Sequence, residues 1–167
     1  MKLGIMSDTH DRLEFIGKAV EALNGEKVDL VLHAGDFVSP FTAGKFRALK
    51  AKMVAVFGNN DGDRAFLRKK FAEIGVEIKG DFALIDADGM KVGMLHGNDQ
   101  DLLDALSASG AFDVLVYGHT HEASARRRGR TLLINGGEVC GYLSSRATIA
   151  VLDTRTLEHR VVELARA

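Results

Sequence analysis

Polar residues that can bind metal ions occur in five short groups along the chain, and each group directly follows an apolar segment. The groups are Ser7-Asp8-Thr9-His10, His33-Ala34-Gly35-Asp36, Gly58-Asn59-Asn60-Asp61, His96-Gly97 and Gly118-His119-Thr120-His121. Carboxylate oxygen, amide oxygen and imidazole nitrogen are hard to borderline ligands that suit Mn, Fe, Zn, Ni or Co. The pattern therefore predicts a metal site built from Asp, Asn and His side chains.

Two of these groups place potential ligands two residues apart, Asp8 with His10 and His119 with His121. In an extended backbone, residues i and i+2 point to the same side, so each pair is expected to aim both side chains into one pocket. The neighbouring glycines allow the backbone to turn sharply and to approach other groups closely. We therefore expect the site to be formed where the strands end.

Each of these residues also has an ordinary structural interpretation when it is taken alone. Asp8 or Asp36 could cap the N-terminus of a helix, and Asn59-Asn60-Asp61 could be turn formers. His96 could be a hydrogen-bonded loop residue. However, four of the six histidines follow apolar segments beside glycine, together with two aspartates in equivalent positions. This joint occurrence favours a metal site.

The first half of the chain alternates apolar segments with helical patterns, and this alternation predicts a parallel sheet with right-handed crossovers. Ligands of such sheets bind beyond the carboxyl ends of the strands. Strands are predicted at residues 2–6, 30–33 and 53–57, and helices at residues 13–23, 41–49 and 64–74.

The second half is predicted to be mainly β structure with one helix. Two sheets packed face to face, with helices outside, would bury both halves in a single domain over residues 1–167. His33 is expected to be a packed or supporting residue, and His159 a surface strand residue. Strands are expected at residues 82–86, 91–95, 114–117, 123–127, 131–135, 147–153 and 159–163, and the helix at residues 100–107.

Composition excludes several classes of protein. A chain of 167 residues with 46% hydrophobic and 27% charged residues suits one globular domain. The net charge of -1 gives no bulk attraction to nucleic acid or membranes, and Arg126-Arg127-Arg128 is interpreted as a solvated hairpin end. We see no signal peptide and no run of ~20 apolar residues. The single cysteine, Cys140, fits a reducing compartment, so a cytoplasmic location is expected.

The ordered motifs resemble those of the calcineurin-like metallophosphoesterases. The matching elements are Asp8-x-His10, Gly35-Asp36, Gly58-Asn59-x-Asp61, His96-Gly97 and Gly118-His119-x-His121. The similarity extends along the whole chain to the small prokaryotic phosphodiesterase branch, including Asn135-Gly136-Gly137-Glu138. The resemblance implies an α/β fold, a four-layer αββα sandwich of two mixed sheets flanked by helices, with a metal centre at the strand ends.

The resemblance also implies two divalent metal ions. Mn is favoured, with Ni, Co, Fe and Zn as alternatives. A hydroxide shared by the two ions would hydrolyse a small phosphodiester without a covalent enzyme intermediate. One ion would be held by Asp8, His10 and His121, the other by Asn59, His96 and His119, and both by Asp36.

Asn60 departs from the family pattern, because many members carry a histidine at this position that can protonate the leaving group. Asparagine can donate a hydrogen bond to a phosphoryl oxygen but cannot deliver a proton at neutral pH. Asn60 is therefore predicted to be a catalytic and substrate-binding residue that favours good leaving groups, with a simple turn residue as the alternative. Asp61 is placed with the catalytic residues and is expected to cap or orient the loop.

Three alternative functions remain. A eukaryotic branch of the fold serves as a scaffold in membrane-coat trafficking and has lost ligands, whereas all seven positions here hold coordinating residue types. A nuclease is disfavoured because neither the net charge nor the chain length suggests a nucleic-acid platform. A phosphomonoesterase is not separated from a diesterase. Specificity is expected in the loops at residues 99–101 and 137–142, and a homo-oligomer is left open.

Overall fold

Strands and helices follow one another from the first residues to the end of the described chain. The computed structural model describes residues 1–166, with side chains up to residue 164. The elements are β1 (Lys2–Met6), α1 (Leu13–Glu26), β2 (Leu30–His33), a 3₁₀ helix (Pro40–Ala48), β3 (Lys52–Ala55), α2 (Arg64–Ala72), β4 (Glu77–Ile78), β5 (Phe82–Ala87), β6 (Met90–Leu95), α3 (Gln100–Ala108), β7 (Val114–Tyr117), β8 (Ala123–Arg128), β9 (Thr131–Gly136), β10 (Arg146–Asp153) and β11 (His159–Arg166).

The strands form two mixed sheets. The first has the order β11-β10-β1-β2-β3-β4 and the second the order β5-β6-β7-β9-β8. Strands β1 to β4 are parallel, as the alternating pattern of the first half predicts, and β10 joins β1 antiparallel. In the second sheet β6, β7 and β9 are parallel, with an antiparallel strand at each edge.

Three apolar clusters hold four layers together. The inner faces of the two sheets pack on each other through residues such as Ile5 and Val116. On the outer face of the first sheet, α1, the 3₁₀ helix and α2 cover a second cluster that includes Ile16 and Phe71. On the outer face of the second sheet, α3 contributes Leu103 to the third. The expected αββα sandwich is confirmed.

Tertiary contacts shift some element boundaries from those expected. The pattern predicts that α1 ends before Asn24, but the helix continues to Glu26 because the Asn24 side chain is engaged elsewhere. Its amide donates to the Ala48 carbonyl at 2.8 Å, and its oxygen accepts from the Lys50 N–H at 2.9 Å. The chain leaves the helix at Lys27, where φ is +54°.

Two further differences concern short elements. The helix predicted at residues 41–49 is a 3₁₀ helix that begins after Ser39, whose side chain accepts from the Phe41 N–H. Strand β4, Glu77–Ile78, was not predicted because two residues are too few for an alternating pattern. The single domain over residues 1–167 stays a prediction, and Ala167 lies outside the described residues. Within residues 1–166, no helix has the length and apolar character needed to cross a bilayer.

His33, the last residue of β2, is a fully buried histidine, as expected of a packed residue. Its ring stacks on Phe37 with 3.7 Å between centroids. Its Nδ1 accepts the Gly35 N–H at 3.2 Å, and its Nε2 lies 3.4 Å from the Thr9 hydroxyl. Burial lowers the pKa of His33 to about 3, so the folded protein holds this ring neutral.

We expect the free energy of unfolding of the metal-free protein to fall as the pH drops from 6.5 towards 3, because unfolded His33 takes up a proton that the folded residue cannot. One such group contributes a slope of about 1.4 kcal/mol per pH unit. His33→Asn keeps an acceptor for the Gly35 N–H but does not titrate, so its slope should be shallower. Urea unfolding at several pH values checks this, and equal slopes in the two proteins would contradict it.

Candidate metal centre

The strands that carry the predicted ligands end at one rim of the sandwich, where short backbone contacts join their loops. The Asp8 N–H donates to the Gly35 carbonyl at 3.0 Å, linking the loops after β1 and β2. The Gly118 N–H donates to the His96 carbonyl at 2.9 Å, linking the loops after β6 and β7. The His119 N–H donates to Asp8 Oδ2 at 3.1 Å and so connects the two sheets.

Five of the predicted ligands approach one another through their ligand atoms. His10 Nε2 lies 3.7 Å from Asp8 Oδ1 and 3.5 Å from Asp36 Oδ2. His121 Nε2 lies 3.5 Å from Asp8 Oδ1. On the other side of the centre, His96 Nε2 lies 3.3 Å from Asp36 Oδ2. Asp36 is therefore close to a histidine on both sides.

The remaining two predicted ligands lie on the His96 side. The His119 ring makes an edge contact with the His96 ring, with 5.1 Å between centroids. Asn59 is exposed and lines, together with His96, a cavity of about 220 Å³ that opens at the rim. The structure thus brings all seven predicted residues into one region.

Hydrogen bonds fix the tautomers of two of the histidines. His96 Nδ1 lies 2.7 Å from the Ala34 carbonyl oxygen. His121 Nδ1 lies 2.6 Å from Oε2 of Glu138. Because a carbonyl and a carboxylate can only accept, Nδ1 carries the hydrogen in both rings. When these imidazoles are neutral, each directs the lone pair of Nε2 towards the centre, as a metal ligand must.

Three buried atoms at the centre have no hydrogen-bond partner among the described residues: Asp8 Oδ1, His10 Nε2 and His96 Nε2. Buried polar atoms are normally paired, so this group requires an explanation. Ligands that each lie about 2.0–2.2 Å from one ion stand roughly 3–3.5 Å from each other. The distances of 3.3–3.7 Å among these side chains match that spacing. The residues therefore fit a bound divalent cation.

The pKa shifts at the centre also favour a bound cation, because they show that the two carboxylates attract positive charge. Burial would raise the pKa of Asp36, but contacts from His96 and Asn60 outweigh it and hold the pKa well below its usual range. The Asp8 carboxylate raises the pKa of His10 against the opposing effect of burial. Burial lowers the pKa of His96, but Asp36 outweighs this effect and the net shift is upward. Protons on these imidazoles would compete with a metal ion.

Backbone conformation at the ligands differs from the expectation. The extended i, i+2 geometry predicted for the two ligand pairs is wrong, because the chain has already left the strands and turns back. Positive φ angles at the ligands, rather than strand alternation, make the side chains converge. The φ values are +53° at Asp8, +38° at His10, +62° at Asp36, +67° at His119 and +61° at His121.

The helix-capping interpretation of the two aspartates is also excluded. The N-cap position of α1 is Arg12, and the N-cap of the 3₁₀ helix is Ser39. Asp36 instead accepts two hydrogen bonds from Asn60, from its N–H to Oδ1 at 2.8 Å and from its side-chain amide to Oδ2 at 2.7 Å.

Asp61 is buried and joins two loops of the first sheet. Its carboxylate accepts the N–H groups of Asp36 at 3.1 Å, Val38 at 2.8 Å and Gly58 at 2.8 Å. Arg64 supports the same loop from outside, with Nη2 donating to the Gly58 carbonyl at 3.2 Å. These contacts agree with an orienting role for Asp61.

Glu138 is the residue whose role the sequence did not reveal. It is fully buried, follows β9 and binds His121. The segment Asn135-Gly136-Gly137-Glu138 contributes to the family resemblance, but its sequence gave no role to the carboxylate. The available signal was its position, because β9 is parallel to β7 and its end reaches the same rim.

Close approach between loops requires glycine at two positions. A Cβ at Gly35, where φ is +97°, would lie 2.6 Å from the Gly58 nitrogen. A Cβ at Gly58 would lie 2.1 Å from Asp36 Oδ1 and 2.6 Å from the Asp36 nitrogen. The loops after β2 and β3 therefore touch through their backbones, which brings Asn60 within hydrogen-bond distance of Asp36.

We expect Gly58→Ala to destabilise the protein by about 1–3 kcal/mol, because the added methyl group overlaps the Asp36 backbone and the two loops must separate. Gly62→Ala is the matched control, since a Cβ there meets no described atom within 4 Å. Its effect should stay within about 0.5 kcal/mol. Chemical denaturation of both variants measures the difference, and equal stabilities would show that the loop contact is not tight.

Comparison with known proteins finds relatives along nearly the whole chain. Residues 1–157 match the family model of the calcineurin-like phosphoesterase superfamily domain. Phosphodiesterase MJ0936 of Methanocaldococcus jannaschii is 46% identical over 165 residues, covering 98% of this chain and 99% of that protein. A probable metallophosphoesterase of Methanothermobacter thermautotrophicus is 33% identical over 145 residues, covering 82% of this chain and 76% of that protein.

Solved structures give the same result for the fold. The structure of an archaeal phosphodiesterase superposes with a TM-score of 0.93 at 44% identity, covering 98% of this chain and 99% of that one. The phosphoesterase Yfce of E. coli reaches a TM-score of 0.73 at 21% identity, covering 99% of this chain and all of that one. Vps29 of Chaetomium thermophilum reaches 0.73 at 15% identity, covering 98% and 95%. The last two similarities show the fold alone.

Proposed function

This chain belongs to the calcineurin-like phosphoesterase superfamily, and from that membership we propose that it hydrolyses small phosphodiesters at a dinuclear metal centre on the sandwich rim. It is a metal-dependent phosphoesterase. The diesterase activity is inferred from the near full-length similarity to an archaeal phosphodiesterase. The observation that carries the metal centre is the group of buried, unpaired ligand atoms around Asp8 and Asp36.

We propose two ligand sets that share one carboxylate. The distances support this division, because Asp36 lies near His10 on one side and near His96 on the other. A shared negative charge also offsets the repulsion between two nearby cations. The proposed sets are Asp8, His10 and His121 for one ion, Asn59, His96 and His119 for the other, and Asp36 for both.

Two bound divalent ions would lower the pKa of a water molecule and offset the charge of the phosphoryl oxygens. Residues of the chain orient the substrate and hold the ligands in position. Asn60 uses one of its two amide hydrogens on Asp36 Oδ2, and the second is free to donate to a phosphoryl oxygen. Asn60 therefore orients the substrate, while Asp61 acts indirectly by holding the Asp36 and Gly58 backbones in place.

The oxygen and nitrogen donors suit Mn, which we propose as the native metal, and they also accommodate Ni, Co, Fe or Zn. A cytoplasmic location remains a prediction from the single cysteine and the composition. The exposed Arg128 and Arg130 form ion pairs with Asp104 and Asp113, so the charge of the basic hairpin end is partly neutralised. A small phosphodiester rather than nucleic acid is therefore the partner that we propose.

We expect chelated protein to lose hydrolysis of bis(p-nitrophenyl) phosphate and to regain it with Mn²⁺. The buried carboxylates and imidazoles would hold the ions, and the ions would lower the pKa of the water molecule that attacks the ester. Parallel assays with Ni²⁺, Co²⁺, Zn²⁺ and Mg²⁺, and with a phosphomonoester, cyclic nucleotides and single-stranded DNA, identify the metal and substrate class. Asp36→Asn should abolish activity together with binding of both ions.

Each alternative has its own outcome in this experiment. A wild-type protein that binds no metal and cleaves no ester would support a scaffold of the same fold. Faster cleavage of the monoester would replace the diesterase assignment. Faster cleavage of DNA would keep the diesterase chemistry but replace the small substrate by a nucleic acid. Full activity in Asp36→Asn would overturn the shared ligand.

We expect the rate to depend steeply on the leaving group, because Asn60 cannot supply a proton to it. A series of aryl and alkyl methyl phosphodiesters measures this dependence. Asn60→His should flatten it by accelerating the poorest leaving groups, since general-acid help is typically worth ~10²–10⁴-fold. If metal content is unchanged and the poor leaving groups are not accelerated, Asn60 has only a structural role.

A further inference from the structure

Glu138 makes a larger set of hydrogen bonds than its place beside one histidine requires. Besides His121, its fully buried carboxylate accepts from three consecutive backbone N–H groups. Oε2 accepts from Tyr142 at 3.0 Å, and Oε1 accepts from Leu143 at 3.0 Å and from Ser144 at 2.6 Å. The Ser144 hydroxyl donates to Oε1 at 2.7 Å.

The segment that Glu138 organises is residues 140–144, which we name the rim loop. It begins at Cys140, whose Sγ donates to Glu138 Oε2 at 3.1 Å. The loop exposes two apolar side chains beside the centre, Tyr142 with 58% of its surface accessible and Leu143 with 74%. Through Glu138 this loop is joined directly to His121.

Arg12 holds the rim loop from a second direction. Its guanidinium donates to the Cys140 carbonyl and lies over the Tyr142 ring, 5.1 Å from the centroid. Arg12 also packs on Phe15 of α1, at 4.1 Å. Because Arg12 lies two residues after His10, it ties the rim loop to the segment that carries Asp8 and His10. Glu138 ties the same loop to His121.

We propose that Glu138 is a positioning residue that fixes His121 as a metal ligand and couples it to the rim loop. Oε2 is shared between His121 Nδ1 and the Tyr142 N–H, so a movement of the carboxylate alters both contacts. The inference rests on the proposed function, since it assigns His121 to a metal ion.

The chemistry of the carboxylate supports this role over that of a simple loop anchor. A loop needs only acceptors, which an amide or carbonyl oxygen also provides. A carboxylate also orients the His121 ring, fixes its tautomer and raises the basicity of Nε2 towards a cation. By linkage, metal binding at His121 must then stabilise the rim loop as much as the loop stabilises metal binding.

The first test is metal binding by Glu138→Gln, measured by calorimetry on chelated protein titrated with Mn²⁺. Gln has one acceptor oxygen, so it cannot serve both His121 and the loop. We expect affinity for one ion to fall about 10–100-fold, with the other ion much less affected. Ser144→Ala is the control, because it removes one loop contact and keeps the bond to His121, and its affinities should stay within about twofold. Wild-type affinities in Glu138→Gln would overturn the proposal.

The second test uses the wild-type protein and so does not depend on how the variant folds. Hydrogen exchange at the Tyr142, Leu143 and Ser144 amides is compared with and without Mn²⁺. Coupling predicts slower exchange at these amides when metal is bound. The internal reference is the Lys91 amide, which also donates to a carboxylate, that of Asp113, but lies near the start of β6, whereas His96 follows the end of that strand. Unchanged exchange in protein that has bound metal would overturn the coupling.

The two proposals fail in different ways. Wild-type protein that binds metal and cleaves diesters, but whose rim loop does not respond to metal, would leave the proposed function intact and remove the role of Glu138. Wild-type protein that binds no metal would remove the proposed function, and this inference with it.

Discussion

The burial of two carboxylates, Asp8 and Asp36, among imidazole nitrogens is the constraint on which the rest of the molecule depends. Each carboxylate lies within 3.7 Å of at least two histidine nitrogens and is removed from solvent. Negative charge in such a place requires nearby positive charge or hydrogen-bond donors. The two carboxylates raise the pKa values of His10 and His96 and so favour protons there in the metal-free chain, whereas a cation balances the same charge without them. Protons and metal ions therefore compete to balance the negative charge of the same two carboxylates.

The fold meets this constraint through hydrogen bonds that join the backbones of the rim loops to the buried carboxylates. Asp61 collects N–H groups from two loops, and the His119 N–H binds Asp8 across the two sheets. Glycine permits the loops to touch, most clearly where Gly58 lies against Asp36. Because these contacts join main-chain N–H groups to short, buried carboxylates or bring main chain against main chain, the ligands have little freedom to separate. The sandwich beneath supplies stiffness through its apolar layers.

Most of the architecture could be predicted from the sequence, because apolar periodicity and strand-end polarity are local signals. Strand β7 was predicted with its observed bounds, and all seven candidate ligands lie in one region. The rest depends on contacts distant in sequence. The extension of α1 past Asn24 requires Lys50, and the engagement of Asn60 with Asp36 requires two loops to meet. The role of Glu138 was missed for the same reason, since His121 lies on a different strand exit.

The left-handed backbone at the ligands has a consequence for how such a chain can change over generations. Residues other than glycine cost roughly 1 kcal/mol or more in this conformation. An aspartate or histidine at such a position therefore carries a backbone strain that glycine would not. A descendant released from the need for catalysis would be under no selection to keep that strain at each ligand. The same scaffold could then persist in a lineage with an inert rim, which would be free to serve as a surface for other molecules.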